Sequence, residues 1–216
     1  MITKYGYDVA IPLILVSLAL IGSAWFVPLL WLRVIMLVLG VGLLAFTVNF
    51  FRDPDRVTPV DANAVISPAD GRVVSIGEVD APEYIEGKAL QVCIFMSPLN
   101  VHVNRFPMSG TVEYVRHIEG RFVMAWEDKA SELNERTLIG INTGKHKLLF
   151  KQIAGFVARR IVCPLKPGDS ARAGERFGMI KFGSRVDVLM PLTAKVEVAL
   201  EQHVVAGETI IARIPE

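Results

Sequence analysis

The first fifty residues of the chain are almost continuously apolar, and their pattern predicts two helices. Residues 9–32 carry no charge, and after Arg33 a second uncharged run covers residues 34–51. About 20 apolar residues, each adding 1.5 Å, cross a hydrocarbon core, so the stretch is too long for one helix and suits two. A proline and two tryptophans in WFVPLLW, residues 25–31, are typical of a turn at a membrane interface. The sequence therefore predicts an N-terminal hydrophobic helical hairpin.

The charges around this hairpin predict its orientation. Lys4 precedes the first helix and Arg52 and Arg56 follow the second, which places both ends in the cytoplasm by the positive-inside rule, although Arg33 counts against it. A cleaved signal peptide fits less well, because the run has no clear small-residue cleavage site and is too long. A pair of helices lying in the interface remains an alternative to a spanning hairpin. We expect a protein of the cell membrane whose following domain lies on the cytoplasmic side.

Beyond a Pro-containing linker around residue 53, short apolar runs alternate with turn signals about every 8–15 residues, as in all-β sandwiches and barrels. Ala-Asp-Gly, residues 69–71, separates two β-branched runs and predicts a β-hairpin. The main candidate for a short helix is DKASELNER, residues 128–136. The predicted fold is mainly β (α+β): a compact β sandwich or barrel-like catalytic domain over 53–216 with minor helix, preceded by a membrane-associated hairpin over 1–52.

Composition excludes several functions. Twenty-three basic and 22 acidic residues give a net charge of +1, which argues against nucleic-acid binding. Cys93 and Cys163 lie in apolar runs without metal-ligand or disulfide spacing, so we expect buried free thiols. The sequence has no glycine-rich nucleotide loop, zinc-protease motif or nucleophile elbow. No metal is expected, because metal-site spacing is also absent from the four histidines: His102, His117, His146 and His203.

The Gly183-Ser184 dipeptide, at the start of a strand-like run, has one distinctive chemical capacity. A serine hydroxyl can attack the preceding carbonyl and convert the peptide bond to an ester, and glycine tolerates the dihedrals that this requires. Elimination of the ester and hydrolysis then convert the serine to a pyruvoyl group, a ketone that forms a Schiff base with an amine and accepts electrons from a carbanion. The dipeptide alone is uninformative, because Gly22-Ser23 occurs in the apolar segment.

The dipeptide becomes informative together with the segments around it. Five segments, in this order along the chain, resemble the phosphatidylserine decarboxylases. The resemblance is greatest to the short form of that family, whose processing site reads Phe-Gly-Ser-Arg-Val, and it covers roughly residues 50–216. The segments are SPADGRV (67–73), FMSPLNVHVNR (95–105), NER (134–136), GERFGMIKFGSRVDVLMP (174–191) and VVAGETIIA (204–212).

The resemblance implies a pyruvoyl-dependent proenzyme that converts phosphatidylserine to phosphatidylethanolamine at a membrane. Ser184 would be the pyruvoyl precursor, which forms the Schiff base with the substrate, and the Gly183–Ser184 bond would be the site of autocatalytic serinolysis. The cut would give a β chain, 1–183, and an α chain, 184–216, which remain together as a heterodimer, with a higher oligomer left open. The covalent pyruvoyl group would be the cofactor, without pyridoxal phosphate or a metal.

The resemblance also implies roles for two further residues. Asp70 matches the acidic residue of the family's self-processing machinery. His102 matches a histidine assigned to decarboxylation, where it would protonate the product carbanion or orient the substrate carboxylate.

The chain departs from the family pattern at one position. Many relatives carry a second histidine three residues after the first, as the base for self-cleavage, whereas this chain has Arg105 there. Arginine cannot act as a base. Either His102 does both jobs, or Asp70 acts directly or through water, or Arg105 has moved to binding a phosphate or carboxylate. We therefore take Arg105 and Asn104 as candidate substrate-binding residues.

Two other functions stay open on sequence alone. Within the same chemistry, the substrate could be another serine lipid or a soluble amino acid, although the hairpin favours a lipid. In a different class, the chain could be a non-enzymatic, membrane-tethered barrel-sandwich module, some of which carry a lipoyl or biotinyl lysine. Lys181 is the one lysine near the Gly183 turn, and it lacks the Met-Lys setting of a carrier.

Overall fold

The structure is a computed structural model, and its described residues form two units. The first unit comprises Met1–Pro54 and the second Asp55–Glu216. The described residues are 1–81, 83–120, 134–155, 160–181 and 184–215.

The first unit is the predicted helical hairpin. A 3-10 turn, Lys4–Gly6, leads into α1, Tyr7–Ala24, and α2 follows as Leu30–Phe50. Both helices are long and apolar enough to cross a membrane. Gly40 allows the helices to approach closely, because a Cβ there would lie 2.7 Å from Ile21 Cγ1. The hairpin confirms the interpretation of the two uncharged runs, and it indicates membrane association.

The turn of the hairpin is exposed and is held by an arginine. Trp25 and Phe26 are 81% and 86% exposed. Arg33 donates from Nε and from a terminal amino group to the Val27 carbonyl oxygen, at 3.1 and 2.9 Å. The guanidinium therefore satisfies a backbone group that the turn leaves without a helical partner, at the level where a membrane interface is expected.

The second unit is built from fourteen strands in its described residues. They are β1 (Ala64–Ile66), β2 (Gly71–Ala81), β3 (Gly87–Met96), β4 (Val103–Arg105), β5 (Gly110–Ile118), β6 (Arg136–Asn142), β7 (Lys147–Ala154), β8 (Arg160–Val162), β9 (Ser170–Ala171), β10 (Arg176–Lys181), β11 (Ser184–Met190), β12 (Lys195–Val196), β13 (His203–Val204) and β14 (Ile210–Arg213).

These strands form one large sheet and two small ones. The large sheet is curled and antiparallel, in the order β13-β2-β3-β11-β7-β6-β5-β9. The small sheets have the orders β1-β14-β12 and β4-β10-β8. The inner face of the large sheet carries most of the apolar core. Strand β11 lies in the middle of this sheet, and all of its residues are buried. The mainly β, barrel-like prediction is confirmed.

Two local predictions have different outcomes. The Ala-Asp-Gly hairpin is wrong, because β1 pairs with β14 whereas β2 pairs with β3 and β13. The chain instead passes between sheets at this point, and Gly71 is needed because a Cβ there would lie 2.2 Å from the Phe95 carbonyl oxygen. Most of the helix candidate 128–136 lies outside the described residues, and its last residue, Arg136, begins β6.

Both cysteines are free thiols. Cys93 is fully buried, as predicted, whereas Cys163 is partly exposed. Burial raises the pKa of both, that of Cys163 to about 11. Both thiols are therefore protonated near neutral pH and poorly nucleophilic.

Candidate active site

Ser184 is the first residue of β11 and is completely buried. Its cross-strand neighbours are Met96 in β3 and Ala154 in β7. The hydroxyl donates to Met96 Sδ at 3.2 Å, which is its single hydrogen bond to the described residues. Sulfur is a weak acceptor, so this contact holds the oxygen without strongly engaging it. The preceding Phe182 and Gly183 lie outside the described residues.

Arg185 and Asp187, the next two polar residues of β11, form hydrogen bonds on the face of the strand opposite Ser184. Arg185 Nε donates to Asp187 Oδ1 at 2.6 Å, and one of its amino groups donates to Cys93 Sγ at 2.8 Å. Asp187, fully buried, also accepts from Gln91 Nε2 at 3.0 Å. Burial lowers the pKa of the Arg185 guanidinium, but the Asp187 carboxylate more than offsets this, so that the pKa is raised. These contacts connect the start of β11 to Cys93 and Gln91 of β3.

A row of buried polar side chains extends inward from Ser184. Asn104 Nδ2 lies 3.8 Å from the same Met96 sulfur and 3.5 Å from the Pro68 carbonyl oxygen. Gln152 Nε2 donates to Asn104 Oδ1 at 2.8 Å. All four side chains are fully buried among apolar residues. Asn104, a predicted site residue, thus contacts the same Met96 sulfur as Ser184. The structure adds two residues that the sequence analysis did not predict, Met96 and Gln152.

The signal for Gln152 was present in the sequence. In KLLFKQIA, residues 147–154, alternation places Leu148, Phe150 and Gln152 on one face. A glutamine on an otherwise apolar face of a strand is the exception that points to a functional or hydrogen-bonded polar group. Met96 gave no such signal, because a methionine in an apolar strand is ordinary core.

His102 is fully buried just before β4. Its Nδ1 lies 2.9 Å from the Asn100 carbonyl oxygen, and because a carbonyl only accepts, the ring donates from Nδ1. In the neutral ring the lone pair is then on Nε2. The His102 carbonyl accepts from Ile180 N at 3.3 Å, which places its backbone beside β10, four residues before Ser184.

Asp70 lies at the end of the loop before β2, and its carboxylate accepts hydrogen bonds from Arg56 and from the backbone of Ala206. Arg56 donates one amino group to both carboxylate oxygens, at 3.1 and 2.9 Å. The Ala206 backbone N–H donates to Oδ1 at 2.8 Å. Arg56 thus forms an ion pair with this carboxylate. The sequence analysis did not predict this role, because it treated Arg56 as a flanking charge of the hairpin.

Arg105 lies in the same region as Asp70. Its guanidinium donates to the Gly174 carbonyl oxygen at 2.9 Å, and its side chain is almost completely buried. A Cβ on Gly207, which has a φ of +77°, would lie 2.8 Å from Arg105 Cδ. Gly207 thus leaves the space that the Arg105 side chain occupies, next to the Ala206 N–H that binds Asp70.

The Asn-Glu-Arg motif, residues 134–136, supports the strand beside Ser184. The buried Asn134 donates from Nδ2 to the Ala154 carbonyl oxygen at 2.7 Å, and Ala154 N donates to the Glu135 carbonyl oxygen at 2.9 Å. Ala154 is the cross-strand neighbour of Ser184 in β7. This motif therefore positions the backbone next to the serine.

The predicted site residues form two groups. Ser184 and Asn104 meet at Met96, whereas Asp70 and Arg105 meet around residues 206–207. The Asn104 side chain and the Arg105 backbone N–H both reach the Pro68 carbonyl oxygen, which links the two groups. Within the described residues the Ser184 hydroxyl is paired with Met96 and with neither Asp70 nor His102. The same part of the chain holds no cluster of three or more His, Cys, Asp or Glu side chains that could bind a metal.

Loss of Arg56, which forms an ion pair with Asp70, should destabilise the fold. Arg56→Leu removes the ion pair that Arg56 makes with a largely buried carboxylate, at an expected cost of about 2–4 kcal/mol, or about 5–15 °C in melting temperature. Arg72→Leu is the control, because its ion pair with Glu201 is exposed and worth about 1 kcal/mol or less. Circular dichroism melts of both variants, made with Ser184→Ala so that the chain stays intact, test this. Equal shifts would contradict a structural role for Arg56.

Burial distinguishes between the enzyme and carrier classes. A lipoyl or biotinyl lysine must be reachable by a partner enzyme, but Lys181 is 2% exposed and Ser184 is not exposed at all. A Gly-Ser dipeptide leading into the most enclosed strand of the large sheet suits a protein that modifies its own chain. The burial of Lys181 argues against this residue as the attachment point of a carrier.

Comparison with known proteins identifies the family. A family model described as phosphatidylserine decarboxylase matches residues 43–212. A "phosphatidylserine decarboxylase proenzyme" of Salinibacter ruber is 50% identical over 198 residues, covering 90% of this chain and 86% of that protein. Proteins with the same name from Pelodictyon phaeoclathratiforme and Chlorobium chlorochromatii are 46% and 45% identical over 99% of this chain and their whole length. The chain belongs to the phosphatidylserine decarboxylase family.

Proposed function

We propose that this chain is a proenzyme that cuts itself between Gly183 and Ser184 and then decarboxylates phosphatidylserine to phosphatidylethanolamine. The observation that carries the proposal is the position of Ser184, fully buried at the start of β11 and next to a row of polar side chains. The names of relatives that are 45–50% identical support both the substrate and the proenzyme state.

Self-cleavage would begin with attack of Ser184 Oγ on the Gly183 carbonyl carbon, while a base takes the hydroxyl proton. The C–N bond then breaks, the released nitrogen takes up the proton from the base to become an amine, and an ester remains. Removal of the Ser184 α-proton breaks the Cβ–Oγ bond, and Gly183 departs as a carboxylate. Water converts the remaining dehydroalanine to a pyruvoyl group and ammonia. The serine side chain thus supplies the oxygen of the new carboxylate, and water supplies that of the ketone.

The site fits a pyruvoyl group, because its ketone is a small acceptor and the Asn104 amide donors contact the same Met96 sulfur as the Ser184 hydroxyl. When formed, the group supplies an electron sink for the carbanion left by decarboxylation. Among the chain's own residues, we assign His102 to protonation of that carbanion or orientation of the substrate carboxylate. Its bond to the Asn100 carbonyl fixes the ring for either task.

We assign Asp70 to self-cleavage and retain Asn104 and Arg105 as substrate-binding candidates. The hydrogen bonds that Asp70 accepts from Arg56 and Ala206 favour a role as a fixed negative charge, or through water, over direct removal of a proton. Arg105 is buried against Gly174 and Gly207, so the serine headgroup would have to enter the interior to meet its guanidinium.

The two chains would stay together after the cut. The proposed α chain, 184–216, contributes β11, which pairs with β3 and β7 of the proposed β chain, 1–183. Two further α-chain strands, β13 and β14, pair with β2 and β1. A heterodimer therefore shares one core.

Mass spectrometry of the purified protein tests the proposal. We expect two species, residues 1–183 and 184–216, with the smaller one lighter than a serine-initiated chain by one ammonia and lacking a free amino terminus. Purified protein should also release carbon dioxide from phosphatidylserine, and tests with other serine lipids and free amino acids would define the headgroup preference. A single intact 216-residue mass in active protein would contradict the cut.

The hairpin over 1–52 would hold the catalytic domain, 53–216, on the cytoplasmic side of the cell membrane. Lys4, Arg52 and Arg56 flank the apolar runs and support this orientation. In sealed vesicles, protease should degrade the domain when the cytoplasmic face is outward and spare it when that face is inward. The opposite pattern would reverse the orientation.

A further inference from the structure

Gln152 is a buried polar residue that the proposed chemistry does not yet use. Its side chain is fully buried on the inner face of β7, and its Nε2 donates to Asn104 Oδ1. Its Oε1 has no hydrogen-bond partner within the described part of the chain. The inner-face positions on either side, Phe150 and Ala154, belong to the apolar core. Packing alone would favour an apolar side chain here, because an unsatisfied buried amide oxygen destabilises the fold.

The one hydrogen bond that Gln152 makes fixes the orientation of the Asn104 amide. Because Gln152 donates, the Asn104 oxygen must face it, and the Asn104 amino group faces the other way. There it has two distant acceptors, the Pro68 carbonyl oxygen at 3.5 Å and Met96 Sδ at 3.8 Å. The distance to the Pro68 oxygen is beyond the normal N–H···O range, and a thioether sulfur is a weak acceptor, so the N–H donors are weakly engaged. They face the sulfur that the Ser184 hydroxyl also contacts.

We propose that Gln152 is a positioning residue for self-cleavage, which holds the Asn104 amide so that its N–H groups face Ser184 and stabilise the oxyanion of the attack. This rests on the proposed self-cleavage. As Ser184 Oγ bonds to the carbonyl carbon, the hydroxyl proton passes to the base and the carbonyl π pair moves onto oxygen. When the C–N bond breaks, that pair re-forms the carbonyl, and the leaving nitrogen takes up the proton from the base. A donor aimed at such an oxygen typically accelerates a reaction by about 10²–10³-fold.

The test is the rate at which newly made full-length chain is converted to its two fragments. Gln152→Met keeps the length and shape of the side chain but donates no hydrogen bond, so the Asn104 amide loses its fixed orientation. We expect cleavage to slow by about 10- to 100-fold, with no loss of melting temperature when measured with Ser184→Ala. Gln152→Leu should behave in the same way. Gln202→Met, at an exposed glutamine in a turn, is the control and should cleave at the wild-type rate.

A double-mutant cycle tests whether Gln152 acts through Asn104. Asn104→Ala should slow cleavage by about 10²-fold or more, and adding Gln152→Met should slow it no further. Multiplicative effects would overturn the proposal. So would wild-type rates in both Gln152 variants, or slowing that only follows a loss of melting temperature in both. In each of these cases the wild-type chain still cleaves and the proposed function stands, whereas an uncut wild-type chain would refute the proposed function itself.

Discussion

Replacing Ser184 with alanine should leave one full-length chain with no detectable decarboxylase activity. The substitution removes the nucleophile of self-cleavage and the precursor of the ketone together, so neither step has a substitute. The fold should survive, because the hydroxyl makes one weak hydrogen bond, to Met96 Sδ, and alanine fits the same position in β11. Gel electrophoresis, mass spectrometry and carbon dioxide release from phosphatidylserine are the measurements.

The chain contains its own control for this experiment. Gly22-Ser23 is the same dipeptide in α1, where the Ser23 hydroxyl donates to the Leu20 carbonyl oxygen in the ordinary way of a helical serine. Ser23→Ala should therefore be cut and active like the wild type. Fragments at residue 184, or carbon dioxide release, from Ser184→Ala would remove Ser184 from the mechanism.

Replacing His102 with alanine should lower the rate of decarboxylation by roughly 10²- to 10⁴-fold, the usual contribution of a general acid or base. The ring is fully buried and oriented by its Nδ1 contact with the Asn100 carbonyl oxygen. That contact leaves Nε2 as the proton-accepting atom of the neutral ring. Carbon dioxide release per fully processed enzyme is the measurement, and the exposed His203→Ala is the control. Wild-type turnover by His102→Ala would take this residue out of the decarboxylation step.

His102→Ala also distinguishes among the three explanations given above for the arginine at position 105. If His102→Ala is cut at the normal rate, the base for self-cleavage is another group, and Asp70 acting through water becomes the leading candidate. If cutting stops as well, His102 does both jobs. Asp70→Asn distinguishes these further, because it keeps the shape of the carboxylate but removes the charge that Arg56 binds.

Local patterns predicted the elements of this fold well. The two uncharged runs became α1 and α2, and the alternation after residue 53 became a curled sheet. Periodicity succeeds here because burial depends on the face of each element, and a face is set by nearby residues. The Gly183-Ser184 motif led to Ser184 because its neighbouring segments are specific to one family, which the comparisons confirm.

Long-range pairing explains what the sequence did not reveal. Asp70 looked like a turn residue of a hairpin, but its carboxylate binds Ala206 N, 136 positions away. Gln152 and Asn104 are separated by 48 positions. A hydrogen bond between two such side chains depends on the order of the strands, and β-sheet order is not encoded in the periodicity of any one strand. The residues that surround the site were therefore harder to predict from the sequence than Ser184, the proposed nucleophile.

Because β11 lies in the middle of the large sheet, the proposed cut would make refolding of a denatured molecule much harder than the first folding of the uncut chain. The uncut chain brings β11 between β3 and β7 as an intramolecular reaction, in which the connecting residues limit the search. After the cut, a denatured molecule would have to recapture a free 33-residue peptide (184–216) from solution, with a dependence on concentration. With the proposed cut, the mature enzyme would therefore persist mainly through slow unfolding, and chains lost to denaturation would have to be replaced by new synthesis rather than by refolding.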